Sequence, residues 1–218
     1  MGTALDTGTP TAGPPFVKIP NLGDHLHFGV VDIELDVPVY KFNPKPGAPR
    51  EQEMTASGKP KTGHRLTVLA LGGQAFTVQD QQYVPVPPRE QGETVLTVFI
   101  DSYAKYDPDN DKAAGPDDFV SWGEATKRAG GLEVGMIGTF AFVREFPPTM
   151  VGNDPRKDRK FKLRAARPEE LAIADRCEAL RLELKAAAST STPLPTGGAP
   201  TTVPPVGSAA AAATIGDY

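Results

Sequence analysis

The chain is poor in the residues that build covalent or metal-held scaffolds. Its single cysteine, Cys177, excludes a disulfide framework and a cysteine-based zinc site. Three histidines, His25, His27 and His64, are little material for a metal centre, and no metal or cofactor is expected. His25 and His27, two residues apart, read as surface histidines. No apolar run approaches the roughly eighteen residues of a membrane-spanning helix, so no membrane contact is expected. The opening MGTALDTGTPTAGPP has neither a basic start nor an apolar core, unlike a secretion signal. Asp6 stands where a myristoylation signal wants Ser or Thr. The expected location is the cytoplasm. Nucleotide-binding glycine loops, serine elbows and HExxH are also missing, so catalysis is not expected. Asp107-Pro-Asp109-Asn-Asp111 starts like a calcium loop, but Lys112 stands where that loop needs glycine. It reads as an acidic turn.

Proline (23) and glycine (22) are plentiful instead, about a fifth of the chain, against roughly 12% in an average one. This excludes a helical bundle. Residues 1–15 and 186–218 are Thr, Pro, Ala, Gly and Ser, with Asp6 and Asp217 as their charged side chains. Such stretches bury too little apolar surface to offset chain entropy. Both are expected to be disordered tails around a folded domain at 16–185.

Inside that window the period is mostly two. Phe28–Tyr40 alternates, with Ile33, Leu35, Val37 and Val39 on one face and Asp32, Glu34 and Asp36 on the other. A polar loop follows at 41–64, then a strand over Arg65–Leu71, broken by Gly72-Gly73. Phe76–Val78 and Tyr83–Val86 suit a short hairpin or an irregular excursion. Thr94–Tyr103 contains VLTVFI, a run that suits burial on both faces. Pro116-Asp117-Asp118 opens a short helix carrying Trp122 as a core anchor, and Gly130-Gly131 ends it. Met136–Phe146 and Arg159–Ala165 are further strands. From Pro168 a helix runs to about Lys185, with Ile173, Cys177, Leu180 and Leu184 in one stripe. That stripe would either cap the sheet or join two copies in a homo-oligomer. Cys177 on it reads as buried and inert.

Strand, strand, strand, helix, strand, strand is the order of an OB barrel. The expected fold is mainly β: a five-stranded OB-like barrel, a short helix between its third and fourth strands, and a C-terminal amphipathic helix. An SH3-like barrel or a sandwich would also supply short strands, but neither expects a helix there.

Several short motifs fall in a telling order. Pro14-Pro15-Phe16 leads to Gly23-Asp24 and Gly29, and Gly58-Lys59-Pro60 precedes the second strand. Arg128-Ala-Gly-Gly-Leu-Glu-Val-Gly135 runs into Gly138-Thr139, and Lys160-Phe161-Lys162 leads to Ala165. Over about residues 14–168 this layout resembles the OB-fold single-stranded-DNA-binding-like proteins of actinobacteria and their bacteriophages. The long 41–64 loop departs from it, lacking a tryptophan-containing turn. The resemblance implies non-specific binding of single strands in DNA replication or recombination.

Single-strand binding needs cations for phosphates and flat side chains for bases. The net charge is −4, but it is unevenly spread. Residues 144–167 hold Arg144, Arg156, Lys157, Arg159, Lys160, Lys162, Arg164 and Arg167 against Glu145, Asp154 and Asp158. Residues 101–124 are as strongly acidic. Alternation puts Phe140, Phe142, Arg144 and Phe146 on one strand face, beside Lys160, Lys162 and Arg164 on the next strand. The candidate site is a cationic, aromatic groove of Tyr40, Lys41, Arg65, Phe142, Arg144, Phe146, Arg159, Lys160, Lys162 and Arg164. Phe140 reads as core. Phe142 and Phe146 fit either core or groove, and the lysine stripe fits either a solvated face or a phosphate track. Lys45, Arg50, Lys59 and Lys61 add a basic loop that could clamp a strand, partly offset by Glu51 and Glu53. The acidic row Asp32, Glu34, Asp36 is expected to face away from the groove. The end of the tail, Thr214-Ile-Gly-Asp-Tyr218, would be the point of contact with replication proteins. Two readings compete with DNA binding: a virion structural or assembly protein using the barrel as an interaction module, and a small nuclease-like enzyme.

Overall fold

The computed structural model describes residues 13–41, 51–55, 57–100, 119–147 and 155–190. The expected tails, the acidic stretch with its turn at 107–111, and the helix start at 116–118 lie wholly or largely outside the described residues.

Seven strands and two helices follow in order: β1 His25–Pro38, β2 Thr62–Gln74, β3 Phe76–Gln79, β4 Gln82–Pro85, β5 Val95–Ile100, α1 Trp122–Arg128, β6 Ile137–Phe146, β7 Arg156–Arg164 and α2 Leu171–Thr190. Five of the strands form one antiparallel sheet in the order β5-β2-β1-β6-β7. The sheet is not closed into a barrel, because β5 and β7 are its two edges. The chain covers both edges itself. Val17 donates to the Thr97 carbonyl beside β5, and Val120 and Phe161 exchange backbone bonds of 3.1 and 2.8 Å beside β7. Covered edges offer no template for pairing with another chain.

All five strands share one core. Phe28, Val30, Leu66, Val68, Leu96, Val98, Ile100, Phe140, Phe142, Phe161 and Leu163 pack with Val17, Ile19 and Trp122. Phe161 lies at its centre, stacked on Phe140 at 4.9 Å and edge-on to Trp122 at 5.1 Å. Gly138 admits the Phe28 ring, because a Cβ there would strike it.

The other face of the sheet is covered by α2. Ile173, Cys177, Leu180 and Leu184 pack against Val31, Leu69, Leu71 and Val95. The stripe therefore caps the sheet, and those side chains are not left over for a homo-oligomer. Cys177 is buried, and that burial pushes its thiol up to about 11. At Gly29 a Cβ would stand 2.7 Å from the Cys177 sulfur, so the bare backbone lets the helix approach. Glu93 accepts three bonds from Arg176, of 2.7 to 3.0 Å, and pins the helix from outside. Pro168 starts a single 3-10 turn that leads into α2. The helix continues to Thr190, past the expected end at Lys185.

Several expected details change. β2 runs through Gly72-Gly73 rather than ending there. Both glycines have positive φ, 152° and 114°, and they face a register shift at His27/Phe28. β1 carries further shifts after Val30 and Glu34, so simple alternation fails along it. Ile33 packs inward, whereas Leu35 is exposed. Asp36 takes a positive φ of 55°. Asp80 and Gln81, at φ 49° and 64°, give the β3–β4 hairpin its tight mirror-image turn. In α1 the Ser121 hydroxyl accepts the Glu124 N–H at 3.4 Å as the N-terminal cap. Phe119 and Val120, expected inside that helix, precede it.

Candidate nucleic-acid interface

The register of β1, β6 and β7 sets out rows of side chains on the α2 side of the sheet, over the part of that side that the helix does not cover. His27 pairs with Thr139, and Thr139 with Lys162; His25 pairs with Ala141, and Ala141 with Lys160. Two adjoining cavities lie over these rows, and both are lined by His27 and Thr139.

The larger, of about 740 Å³, is lined by Arg89, Arg128, Lys162, Arg164 and Arg167 with one carboxylate, Glu170. These cations come from separate elements: the 3-10 turn Arg89–Gln91, the end of α1, β7, and the residue before Pro168. Glu170 is spoken for. Its carboxylate accepts both Nη groups of Arg164, one at 2.7 Å, and the Arg167 N–H at 3.0 Å. The Arg164 bonds first and the Arg167 N–H next hold it down at about 2, so it stays ionised at any working pH. Arg128 pairs with Glu124 at 2.9 Å and Arg167 with Glu169 at 4.0 Å, both exposed contacts that a phosphate can replace.

The smaller cavity, of about 400 Å³, has Leu22, His25, His27, Phe119, Thr139 and Ala141 among its lining residues. Lys162 places its ammonium 4.5 Å from the Phe119 ring centroid. His27 Nδ1 and the Thr139 hydroxyl are hydrogen-bonded at 2.9 Å. Loss of surrounding water, and then the neighbouring His25, push His27 below the ordinary histidine range. It is therefore neutral near pH 7. His25 Nδ1 donates to the Gly23 carbonyl at 3.0 Å, and its ring meets His27 edge-on at 5.1 Å.

No family model, curated protein or solved structure matches the chain. The site therefore rests on its own geometry.

The ten expected site residues do not form one groove. Lys162 and Arg164 line the larger cavity, and Phe142 borders the smaller one. Phe142 is a correction: only 2% exposed, it belongs to the shared core and cannot offer its ring to a base. Lys160 is another, at 1% exposure. It lies 3.7 Å from the buried Asp158 carboxylate, which also accepts from Arg144 at 3.2 Å. Arg144 lies 4.6 Å from the Phe146 ring centroid, at the far end of β6 and β7 from the cationic cavity. Arg159 is exposed at that same end, and Lys157 there donates to the Pro20 carbonyl at 2.7 Å. Phe142 keeps the core face it shares with Phe140, and a register shift between Phe142 and Arg144 puts Arg144 on the opposite face rather than the one alternation assigns.

Tyr40 and Lys41 lie on the β1–β2 connection and Arg65 near the start of β2, and three cations of this region carry ion pairs. Lys41 pairs with Glu51 at 2.9 Å, Lys61 with Glu53 at 2.8 Å, and Arg65 with Glu34 at 3.2 Å. Tyr40 is exposed and bridges to Gln52 through backbone. The acidic row is neutralised as well. Asp32 receives Arg181 at 3.2 Å and Lys185 at 3.9 Å from α2, so it presents no bare charge to a strand.

Arg89, Arg128, Phe119, His25 and His27 join the site only through the fold. One signal was available: the two histidines share a strand face two residues apart, and they lie on the α2 side of the sheet beyond the part the helix covers.

Proposed function

We propose that this chain is a non-catalytic single-stranded-DNA-binding protein of replication or recombination, in a bacterium or its phage. The observation that carries this reading is the convergence of Arg89, Arg128, Lys162, Arg164 and Arg167 on one groove with a single, internally satisfied carboxylate. In a chain of net charge −4, such a concentration of cations marks the surface where a polyanion is attracted. Phe119 and the histidines next to it supply flat groups for bases.

The strand order supports an OB relationship. With the β3–β4 hairpin set aside, the sheet reads third-second-first-fourth-fifth, and α1 falls between the third and fourth strands. This order is the one an OB unit would have if opened along the seam between β5 and β7, which supports the reading. Among the described residues no group of histidine, cysteine and carboxylate side chains could hold a metal ion. No helix of the described residues is long and apolar enough to cross a membrane. The assembly reading keeps one observation, the exposed Leu35 near the end of β1 with Tyr40 and Met54 on the connection that follows. Self-association in size-exclusion chromatography that is abolished by Leu35→Ser and Met54→Ser would favour it.

The test of the groove is the variant Arg128→Ala/Lys162→Ala/Arg167→Ala. It is expected to bind a single strand more weakly and to flatten the plot of log affinity against log salt by about two units, at roughly 0.7 per lost phosphate contact. A slope that stays at the wild-type value moves the site to the Arg144–Phe146–Arg159 end.

A further inference from the structure

We propose that the smaller cavity seats one unstacked base of the bound strand, while that nucleotide's phosphate lies on Lys162 and Arg128 in the larger one. The inference rests on the single-strand reading above and adds the part of the ligand that each cavity takes.

The two cavities differ in chemistry. The larger is ringed by fixed cations, which suit phosphate. The smaller has Leu22, Phe119 and two imidazoles on its walls and no side chain of fixed charge. Its size, about 400 Å³, falls in the range of pockets that enclose a small flat ligand. Unstacked bases are held by aromatic and histidine faces and by hydrogen bonds to their edges. His27 is placed for this. Its Nδ1 is engaged with Thr139, which fixes the ring and leaves the Nε2 edge to a ligand. Being neutral near pH 7, it offers a hydrogen bond rather than a charge. The cavities share the His27–Thr139 wall, and Lys162 reaches from the phosphate side onto the Phe119 ring of the base side. A single nucleotide has this same arrangement of a flat apolar part joined to an anionic one.

The experiment compares two labelled oligonucleotides of equal length, oligo-dT and a strand of abasic sites, by fluorescence anisotropy. The phosphates are the same in both. Wild-type protein is expected to bind oligo-dT about ten-fold or more tightly than the abasic strand. In His27→Ala, a change at an open side chain, and in Phe119→Ala, that ratio is expected to collapse toward one. Equal wild-type affinity for both strands overturns the base seat and leaves the cationic groove standing. A ratio unchanged in His27→Ala and Phe119→Ala overturns it too, because base contacts then lie elsewhere. Failure of the wild type to bind either strand overturns the single-strand reading and this inference with it.

Discussion

Phe161→Ala is expected to lower the stability of the fold by about 3–5 kcal/mol. The ring is buried between Phe140, stacked at 4.9 Å, and Trp122, edge-on at 5.1 Å. It thus ties β6, β7 and α1 together. Its backbone bonds to Val120 survive the substitution, so the loss is one of packing: the transfer free energy of the ring, and a cavity that β-strand neighbours close poorly. Urea denaturation followed by tryptophan fluorescence measures it directly, since Trp122 is the only tryptophan and touches the site. The same change loosens Val120 and Phe119, so single-strand affinity is expected to fall with it. A loss below about 1 kcal/mol would show that Phe161 does not hold the core as described.

Asp158→Ala is expected to cost about as much, roughly 3–5 kcal/mol. The reason is electrostatic. Asp158 is a buried carboxylate, with Lys160 at 3.7 Å and Arg144 at 3.2 Å. Arg144 is partly open to water and can re-solvate. Lys160 is almost fully enclosed and cannot, so removing the carboxylate takes a close counter-charge from a buried ammonium. The double variant Asp158→Leu/Lys160→Met removes both charges and keeps similar volume, so it is expected to recover most of the loss. If the single variant is as stable as the wild type, the Lys160 ammonium has an exit to solvent. If the double variant is as unstable as the single one, shape rather than charge holds this corner. Lys160 thus belongs to the buried interior, and Lys162, two residues on, to the wall of the cationic cavity.

That pair shows where the amino-acid pattern stops being legible. Alternation sees Lys160 and Lys162 as equivalent members of one exposed stripe. Their difference depends on Asp158 and on Arg144 across the strand pair, and on a register shift at Phe142/Arg144 that leaves no mark in the residue pattern. The same cause defeats the face assignment of β1, whose shifts turn Ile33 inward and Leu35 outward. Features set by local composition were readable. VLTVFI forms β5, with Leu96, Thr97 and Val98 buried on both faces. Trp122 anchors α1 in the core, and the Ile173–Cys177–Leu180 stripe packs α2 onto the sheet. The hairpin at Phe76–Pro85 was legible because two short apolar runs flank a polar turn. The groove was half legible. Lys162 and Arg164 lie in the basic run at 144–167, but Arg89 and Arg128 come from distant parts of the chain and meet them only when the sheet is assembled.

The groove's purpose is tested most directly by titrating wild-type protein into a labelled single strand and into the corresponding duplex, each at low and at moderate salt. The expected result is preference for the single strand, with log affinity falling against log salt at a slope of about −3, as the four groove cations other than the Glu170-bound Arg164 imply at roughly 0.7 each. No detectable binding at low salt, or equal binding of the duplex, would contradict it.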